Sequence, residues 1–421
     1  MKKLIGTVVV AALLATTAFA EGISFGQWGR GLFSVGNASA GDKNEVTSWI
    51  SQSWGGASPR LGLAVKGNSE NVGFAVDFHV NGKNSTAVIG YEKGQPKDVT
   101  INPITLGDNA FIWVKPIEML TISLAASDDR NVLRSGACFG LYNFARIGAV
   151  GKTNDDGFIF PGLLNKNVSV VATPIEGLTI GAGFDSWIGN PSKDLKGANR
   201  TINGTDDNGN RLVDQIGRTL GIAGAYTIAD IGTIKAGLST HGKGANKDGE
   251  KKDLIKIHAA FELTAVENVY AAVGATIPVG GTYGATGGNE NPIQIKAYGR
   301  LSMIENLTIN LSAALALNSG DKKELKKDGA FGFGFGAEVE YALSNGITVF
   351  GDVRYANGIL LSGTSADKSD TLTFGAGLWK GFSNGNIGVA FEGTTNGVNA
   401  QADIYDNAFA WQVPVRFEYW F

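Results

Sequence analysis

Apolar and polar residues alternate along this chain with a period of two. In "VGFAVDFHV", Val72, Phe74, Val76, Phe78 and Val80 share one face, and Asp77 and His79 lie on the other. "IKIHAAFEL" sets Ile255, Ile257, Ala259, Phe261 and Leu263 against Lys256 and His258. "IQIKAYGRL" sets Ile293, Ile295, Ala297 and Leu301 against Gln294, Lys296, Tyr298 and Arg300. In "FGFGFGAEVEY" the phenylalanines and Ala337, Val339 and Tyr341 oppose Gly332, Gly334, Gly336, Glu338 and Glu340. Side chains point to opposite faces of a strand at successive residues, so this pattern predicts β-strands. No stretch beyond the N-terminal leader carries a convincing amphipathic helical period, and the chain reads as all-β.

The connections fall into two kinds. "VKPIEMLTISL" from Val114 and "ATPIEGLTIGA" from Ala172 are close copies, and "LTAVENVYAAV", "LSMIENLTINL" and "YALSNGITVFG" are looser ones. Each joins two alternating strands through two to five turn-type residues, the mark of a tight hairpin. The other connections are long and rich in Gly, Asn, Asp, Lys and Ser, as in "NPSKDLKGANRTINGTDDNGNRLVD" from Asn190 and "NSGDKKELKKDG" from Asn318. Eight short turns, an opening strand near Ile23 to Val35 and a closing strand predict an antiparallel barrel of roughly 18 strands, with 16 as the alternative. The pattern is weakest in the opening strand and from Asp128 to Pro161.

Both termini carry signals. "MKKLIGTVVVAALLATTAFA" has a basic start, a short apolar run and a small-x-small ending at Ala18-Phe19-Ala20. That arrangement predicts a cleaved signal peptide over 1–20 and one exported domain over 21–421. At the other end, "WQVPVRFEYWF" places Trp411, Val413, Val415, Phe417, Tyr419 and Phe421 on one face. It predicts a closing strand rather than a polar tail. Pro414 lacks a ladder donor, so a bulge or a missing bond is expected there.

Composition narrows the chemistry. The chain has 60 Gly and 22 Phe but only 3 His and 1 Cys, and a formal net charge of −3. There is no basic field for nucleic acid, and the lone Cys138 forms no internal disulfide. His79, His241 and His258 show no HxxxH or HExxH spacing, and no GxSxG elbow occurs, so neither a metal centre nor a catalytic set is predicted. "NGTDDNGNRLVD" (203–214) offers oxygen ligands near a glycine turn but fails the EF-hand spacing. No cofactor is expected, and the chain does not read as an enzyme.

The leader, the alternating strands, the short and long connections and the terminal Phe421 together resemble a Gram-negative outer-membrane β-barrel of the porin type. No single porin family is matched motif by motif; the "VKPIEMLTIS" turns and the "FEYWF" ending resemble spirochaetal outer-membrane proteins. The resemblance covers essentially all of 21–421. It implies a transmembrane antiparallel β-barrel with short periplasmic turns and long extracellular loops. It further implies that Phe417, Tyr419 and Phe421 form the signal read by the barrel-assembly machinery. Porins are often trimeric, and the sequence marks no trimer face, so a homo-oligomer stays open.

In hydrocarbon every backbone group must pair internally, so strands span a membrane only as a closed sheet. Its apolar face then meets lipid and its polar face the lumen. Aromatic residues at strand ends (Trp113, Trp187, Trp379, Trp411, Tyr419 and Trp420) are expected in interfacial girdles. The predicted pore lining is Lys115, Lys235, Lys256, Lys296, Arg300, Glu338, Glu340, Asp352, Arg354, Arg416 and Glu418, with Asp77. A barrel of this size leaves an aqueous channel. The expected function is a porin for passive diffusion of small hydrophilic solutes and ions. The alternatives are a channel selective for a sugar or lipophile, and an adhesin or structural barrel without a pore. Asp128, Asp129, Arg130 and Arg134 are candidates for a loop that narrows the channel, with a surface loop as the equal alternative. The inward Gly332, Gly334 and Gly336 would leave room for such a loop, and a plain wide lumen accounts for them nearly as well.

Overall fold

The computed structural model describes residues 22–40, 43–51, 60–81, 86–92, 95–100, 104–127, 167–184, 220–245, 251–279, 293–317, 331–356, 370–395, 398–399, 404–405 and 409–421. The leader at 1–20, the loop candidates Asp128 to Arg134, Cys138, Trp187 and the acidic loop at 203–214 lie outside the described residues.

Every described element is a strand. They are β1 (Ile23–Ala40), β2 (Lys43–Ser51), β3 (Arg60–Asn68), β4 (Val72–Asn81), β5 (Thr86–Glu92), β6 (Gln95–Thr100), β7 (Ile104–Ile117) and β8 (Leu120–Ser127). Next come β9 (Val168–Ile175), β10 (Leu178–Phe184), β11 (Gly221–Ile228), β12 (Gly232–Ala245), β13 (Lys251–Leu263), β14 (Val269–Val279), β15 (Ile293–Ile304) and β16 (Leu307–Leu317). The last are β17 (Phe331–Ala342), β18 (Ile347–Ala356), β19 (Thr371–Phe382), β20 (Gly385–Thr394), β21 (Val398–Asn399), β22 (Ile404–Tyr405) and β23 (Ala410–Trp420).

Nineteen of these strands form one sheet, with β5–β6 and β21–β22 as separate hairpins. Within the sheet β1 meets β2 along Leu32–Ala40 and β3 along Ile23–Arg30. The two therefore continue one another as a single wall strand, and the sheet closes as an antiparallel barrel of 18 strands. Closure is made by β1 and β23, in register from Trp28↔Trp420 to Asn37↔Trp411. The terminal residue belongs to the ladder: Phe421 N–H donates to the Gln27 carbonyl (2.8 Å) and Gln27 N–H donates back to Phe421 (3.3 Å).

Eight short turns join the wall hairpins on one rim. Their chemistry follows from backbone sterics. Asp230, Asn268 and Asn306 adopt positive φ (58°, 62° and 64°), the left-handed region that Asn and Asp tolerate. Gly177 takes φ 77° in the copy "PIEG", where a Cβ would fall 2.7 Å from the Thr227 carbonyl oxygen.

Pro414 produces a gap rather than a bulge. Its pairing with Ser34 on β1 is kept. Against β20 the register is unbroken, but the ladder passes from Val389↔Val415 directly to Glu392↔Gln412. The pairs Ala390↔Pro414 and Phe391↔Val413 are absent, as expected where a ring replaces the N–H.

The faces are opposite in character. Exposed large apolar side chains recur at every second position: Phe335, Val339 and Tyr341 on β17, Val349 and Val353 on β18, Ile387, Val389 and Phe391 on β20. Between them lie buried polar ones, including Glu338 at 0% exposure, Thr394 at 0% and Arg416 at 2%. A soluble barrel would show the reverse. Apolar outside and polar inside is the arrangement that a hydrocarbon surround requires.

Candidate functional site: the inner wall of the barrel

Alternation carries the chemistry to the inside of the barrel, because each strand that offers an apolar residue outward must offer the next one inward. Three patches of this wall hold most of the predicted lining charges.

The first lies where the barrel closes. Arg30 of β1 donates to Glu418 Oε1 of β23 at 2.8 Å, and Arg416 donates to Glu418 Oε2. Two guanidinium groups thus share one carboxylate. The Arg416 side chain is 3% exposed. Arg30 also lies 4.7 Å over the ring of Trp28, which makes a T-shaped contact with His79, ring centroids 5.1 Å apart. Arg60 of β3 stands in register opposite Arg30.

The second patch spans β15 to β18. Asn310 Nδ2 donates to Glu338 Oε1 (2.9 Å), and Asn310 Oδ1 accepts from Tyr298 Oη (2.8 Å) and Arg300 Nε (3.1 Å). Arg354 Nε donates to Asp352 Oδ2 at 3.0 Å. Glu338 and Asp352 stand directly opposite each other across β17 and β18. Such a like-charged pair needs the cations and amides around it. Glu340 follows on the same face, opposite Phe350.

The third patch lies on β12 to β14. Lys235 Nζ donates to Glu262 Oε1 at 2.9 Å. The buried His258 ring is held between Ser239 Oγ (3.0 Å) and Thr276 Oγ1 (3.0 Å). Lys256 stands opposite Ser239, and Lys296 stands on β15 opposite Gly274.

Elsewhere on the wall, Asn109 Nδ2 donates to Asp77 Oδ2 at 2.7 Å, and Lys115 Nζ lies 5.4 Å from the centre of the Trp113 ring. Gln412 donates to Glu392, and Thr373 bonds Thr394 at 3.0 Å. The predicted lining residues therefore stand on one wall, but in separate patches rather than in one constellation. Among the described residues no group of three or more His, Cys, Asp and Glu is placed to hold a metal ion.

Sequence reading missed Arg30, Glu262, Asn310 and Glu392. Glu262 and Glu392 were within reach, since each follows a Phe on the apolar face (Phe261 and Phe391). Arg30 was hidden because Trp28 and Leu32 share its inward face and blur the alternation of β1. The aromatic girdle also needs correction. Trp411 and Tyr419 lie on the outward face, but Trp113 and Trp379 fall on the inward registers of β7 and β19. Trp113 is bracketed by exposed Ile112 (53%) and Val114 (42%). Trp379 packs on the inward Phe350, with ring centroids 6.5 Å apart. A recess of about 480 Å³ bounded by Ala337, Val353, Phe374 and Phe391 opens instead on the apolar outer face.

A closed 18-strand wall, apolar outside and charged inside, defines a transmembrane β-barrel of the outer-membrane type. Its fold is similar to two solved structures from Pseudomonas aeruginosa. OccK1 (OpdK) matches with a TM-score of 0.52 at 8% identity, over 96% of this chain and 100% of that one. OccK11 (OpdR) matches with a TM-score of 0.51 at 9% identity, over 96% of this chain and 98% of that one. The likeness to an anion-selective porin from Comamonas acidovorans is looser, with a TM-score of 0.44 at 13% identity over 95% and 100% of the two chains. No protein-family model and no curated protein sequence matches the chain.

Proposed function

We propose that this barrel resides in a bacterial outer membrane and forms a porin-type channel for passive diffusion of small hydrophilic solutes and ions. The observation that carries the reading is a charged inner wall on an 18-strand barrel. Strands about 4.8 Å apart and tilted by about 40° would close as a circular ring of backbone radius roughly 18 Å. Side chains fill the interior of an eight-strand barrel, whereas 16 to 18 strands leave an aqueous channel. Charges of both signs along such a wall suit water-filled space, because burying them against lipid-like packing would be costly.

The same reading includes export through cleavage near Ala20, and insertion by the barrel-assembly machinery acting on Phe417, Tyr419 and Phe421. The partners it implies are outer-membrane lipid and small solutes, with a homo-oligomer as one form of assembly. Liposome swelling with sugars of graded size tests it. Folded protein should admit small sugars and exclude larger ones. Vesicles that do not swell in any sugar, together with flat planar-bilayer traces, would remove the channel and leave a structural or adhesive barrel. Swelling with one sugar alone would favour a selective channel.

A further inference from the structure

We infer that the inner wall across β15 and β17 holds a site for a small zwitterion, an ammonium and a carboxylate joined by a short carbon chain. This deepens the channel reading and rests on it in that the solute reaches the wall through the lumen. Arg300 and Glu340 carry the site. Both stand on inward registers with only β16 between their strands: Arg300 lies opposite Asn310, and Glu340 opposite Thr308. Two strand spacings separate β15 from β17, about 10 Å. Opposite charges therefore face the lumen side by side, and Glu340 lies within Coulombic reach of Arg300. Their pairing sets them apart from the other charges of the wall. Arg30, Lys235, Arg354 and Arg416 each hold a carboxylate directly. Among the described residues Arg300 donates instead to a neutral amide, from Nε to Asn310 Oδ1 at 3.1 Å, and Glu340 is bonded to no cation.

Accessibility supports the same reading. Arg300 is exposed and Glu340 half-buried, while Tyr298, Asn310 and Glu338 behind them are buried. On an inward register that exposure is to the lumen. Asn310 fixes the guanidinium by its Nε edge and is itself held by Tyr298 and Glu338. The Nη edge is left toward the lumen, and its planar fork of donors matches the two oxygens of a carboxylate. Glu340 follows Glu338 on the same face and lies beside it. Two neighbouring carboxylates favour a cation, and an ammonium brings one charge with three donors. A simple anion attracted to Arg300 would also meet both carboxylates, and a simple cation drawn to Glu340 would meet the guanidinium. A solute that carries both charges is opposed at neither end. Tyr270 stands opposite Arg300 and Phe350 opposite Glu340, so an aromatic ring closes each flank.

The test uses folded, detergent-solubilised full-length barrel, checked by heat-modifiable gel mobility. The zwitterion 4-aminobutyrate and its two halves, butyrate and butylammonium, are titrated separately by calorimetry. Low ionic strength and pH 8 keep carboxylates and amines charged. Wild type, Arg300→Gln and Glu340→Gln are compared. The expected result is saturable binding of 4-aminobutyrate to wild type, about tenfold tighter than either half, and weakened about tenfold in each folded variant. The inference is overturned if 4-aminobutyrate does not bind saturably, if butyrate or butylammonium binds as tightly, or if a folded variant keeps wild-type affinity. Should one variant fail to fold, the other decides by itself. Binding is read without current. A barrel that binds the zwitterion but conducts nothing overturns the channel reading alone. A conducting barrel without preference for the zwitterion overturns this site alone.

Discussion

The ring of Tyr419 lies across Gly29, its register partner on the strand that closes the barrel. A Cβ built on Gly29 would come 2.1 Å from Tyr419 Cε1. The same relation recurs between Trp28 and Gly62, Phe74 and Gly67, and Trp113 and Gly73, each a cross-strand pair. Glycine in a strand leaves a bare strip of backbone, and an aromatic side chain on the neighbouring strand covers it. Gly29→Val should therefore displace the Tyr419 ring at the seam and cost about 1–3 kcal/mol. The fraction of heat-modifiable folded protein and the urea midpoint would measure it. In a Tyr419→Ala background the added cost should largely vanish, because the clash is gone.

Asn310 is 2% exposed and serves Glu338, Tyr298 and Arg300 at once. Asn310→Leu keeps similar bulk but takes one donor from the fully buried Glu338 and the acceptor from two neighbours. The expected loss is about 2 kcal/mol or more in reversible urea unfolding. A loss below about 0.5 kcal/mol would mean that this network contributes little.

The two faces should answer a cation differently. Val353 is outward and 39% exposed, so Val353→Arg places a guanidinium in hydrocarbon and should cost about 2–4 kcal/mol in lipid bilayers. Gln294 is exposed on the inward register of β15, and Gln294→Arg should stay within about 1 kcal/mol of wild type. Equal costs at both positions would contradict the assignment of the faces.

Glu418 is ion-paired with two arginines at the closing seam. Glu418→Gln leaves both guanidinium groups without that charge and should destabilise the barrel by about 3 kcal/mol. The salt dependence of its urea midpoint should exceed that of wild type, since added anions screen the positive charge that the lost carboxylate leaves behind.

Pro414 stands in register with Ala390 at the gap in the β20 ladder. Pro414→Val can restore a donor to that ladder, a gain of about 1 kcal/mol. It also frees the unfolded chain, a loss of about 0.4–1 kcal/mol. The two nearly cancel, so the unfolding midpoint should barely move. Hydrogen exchange at residue 414 in the variant would report whether the new N–H is bonded.

Alternation by itself determined most of the wall strands and which face of each is apolar, because the strand period is a local property that each segment carries on its own; it left their number between 16 and 18, which closure of the sheet decided. The short turns were equally legible, since Asn, Asp and Gly mark the left-handed backbone of a tight hairpin. Pro414 could be flagged from its chemistry, but whether it makes a bulge or a gap depended on β20, which the local sequence does not contain. The tertiary structure alone decided which inward charges meet. Arg30 and Glu418 are neighbours only because the first and last strands pair, and Glu338 meets Asp352 only through the register of β17 on β18. It also turned Trp113 and Trp379 inward, against the expectation that strand-end tryptophans face the membrane interface. Residue type fixes what a side chain prefers; closure of the sheet fixes which side of the wall it is on and what stands next to it.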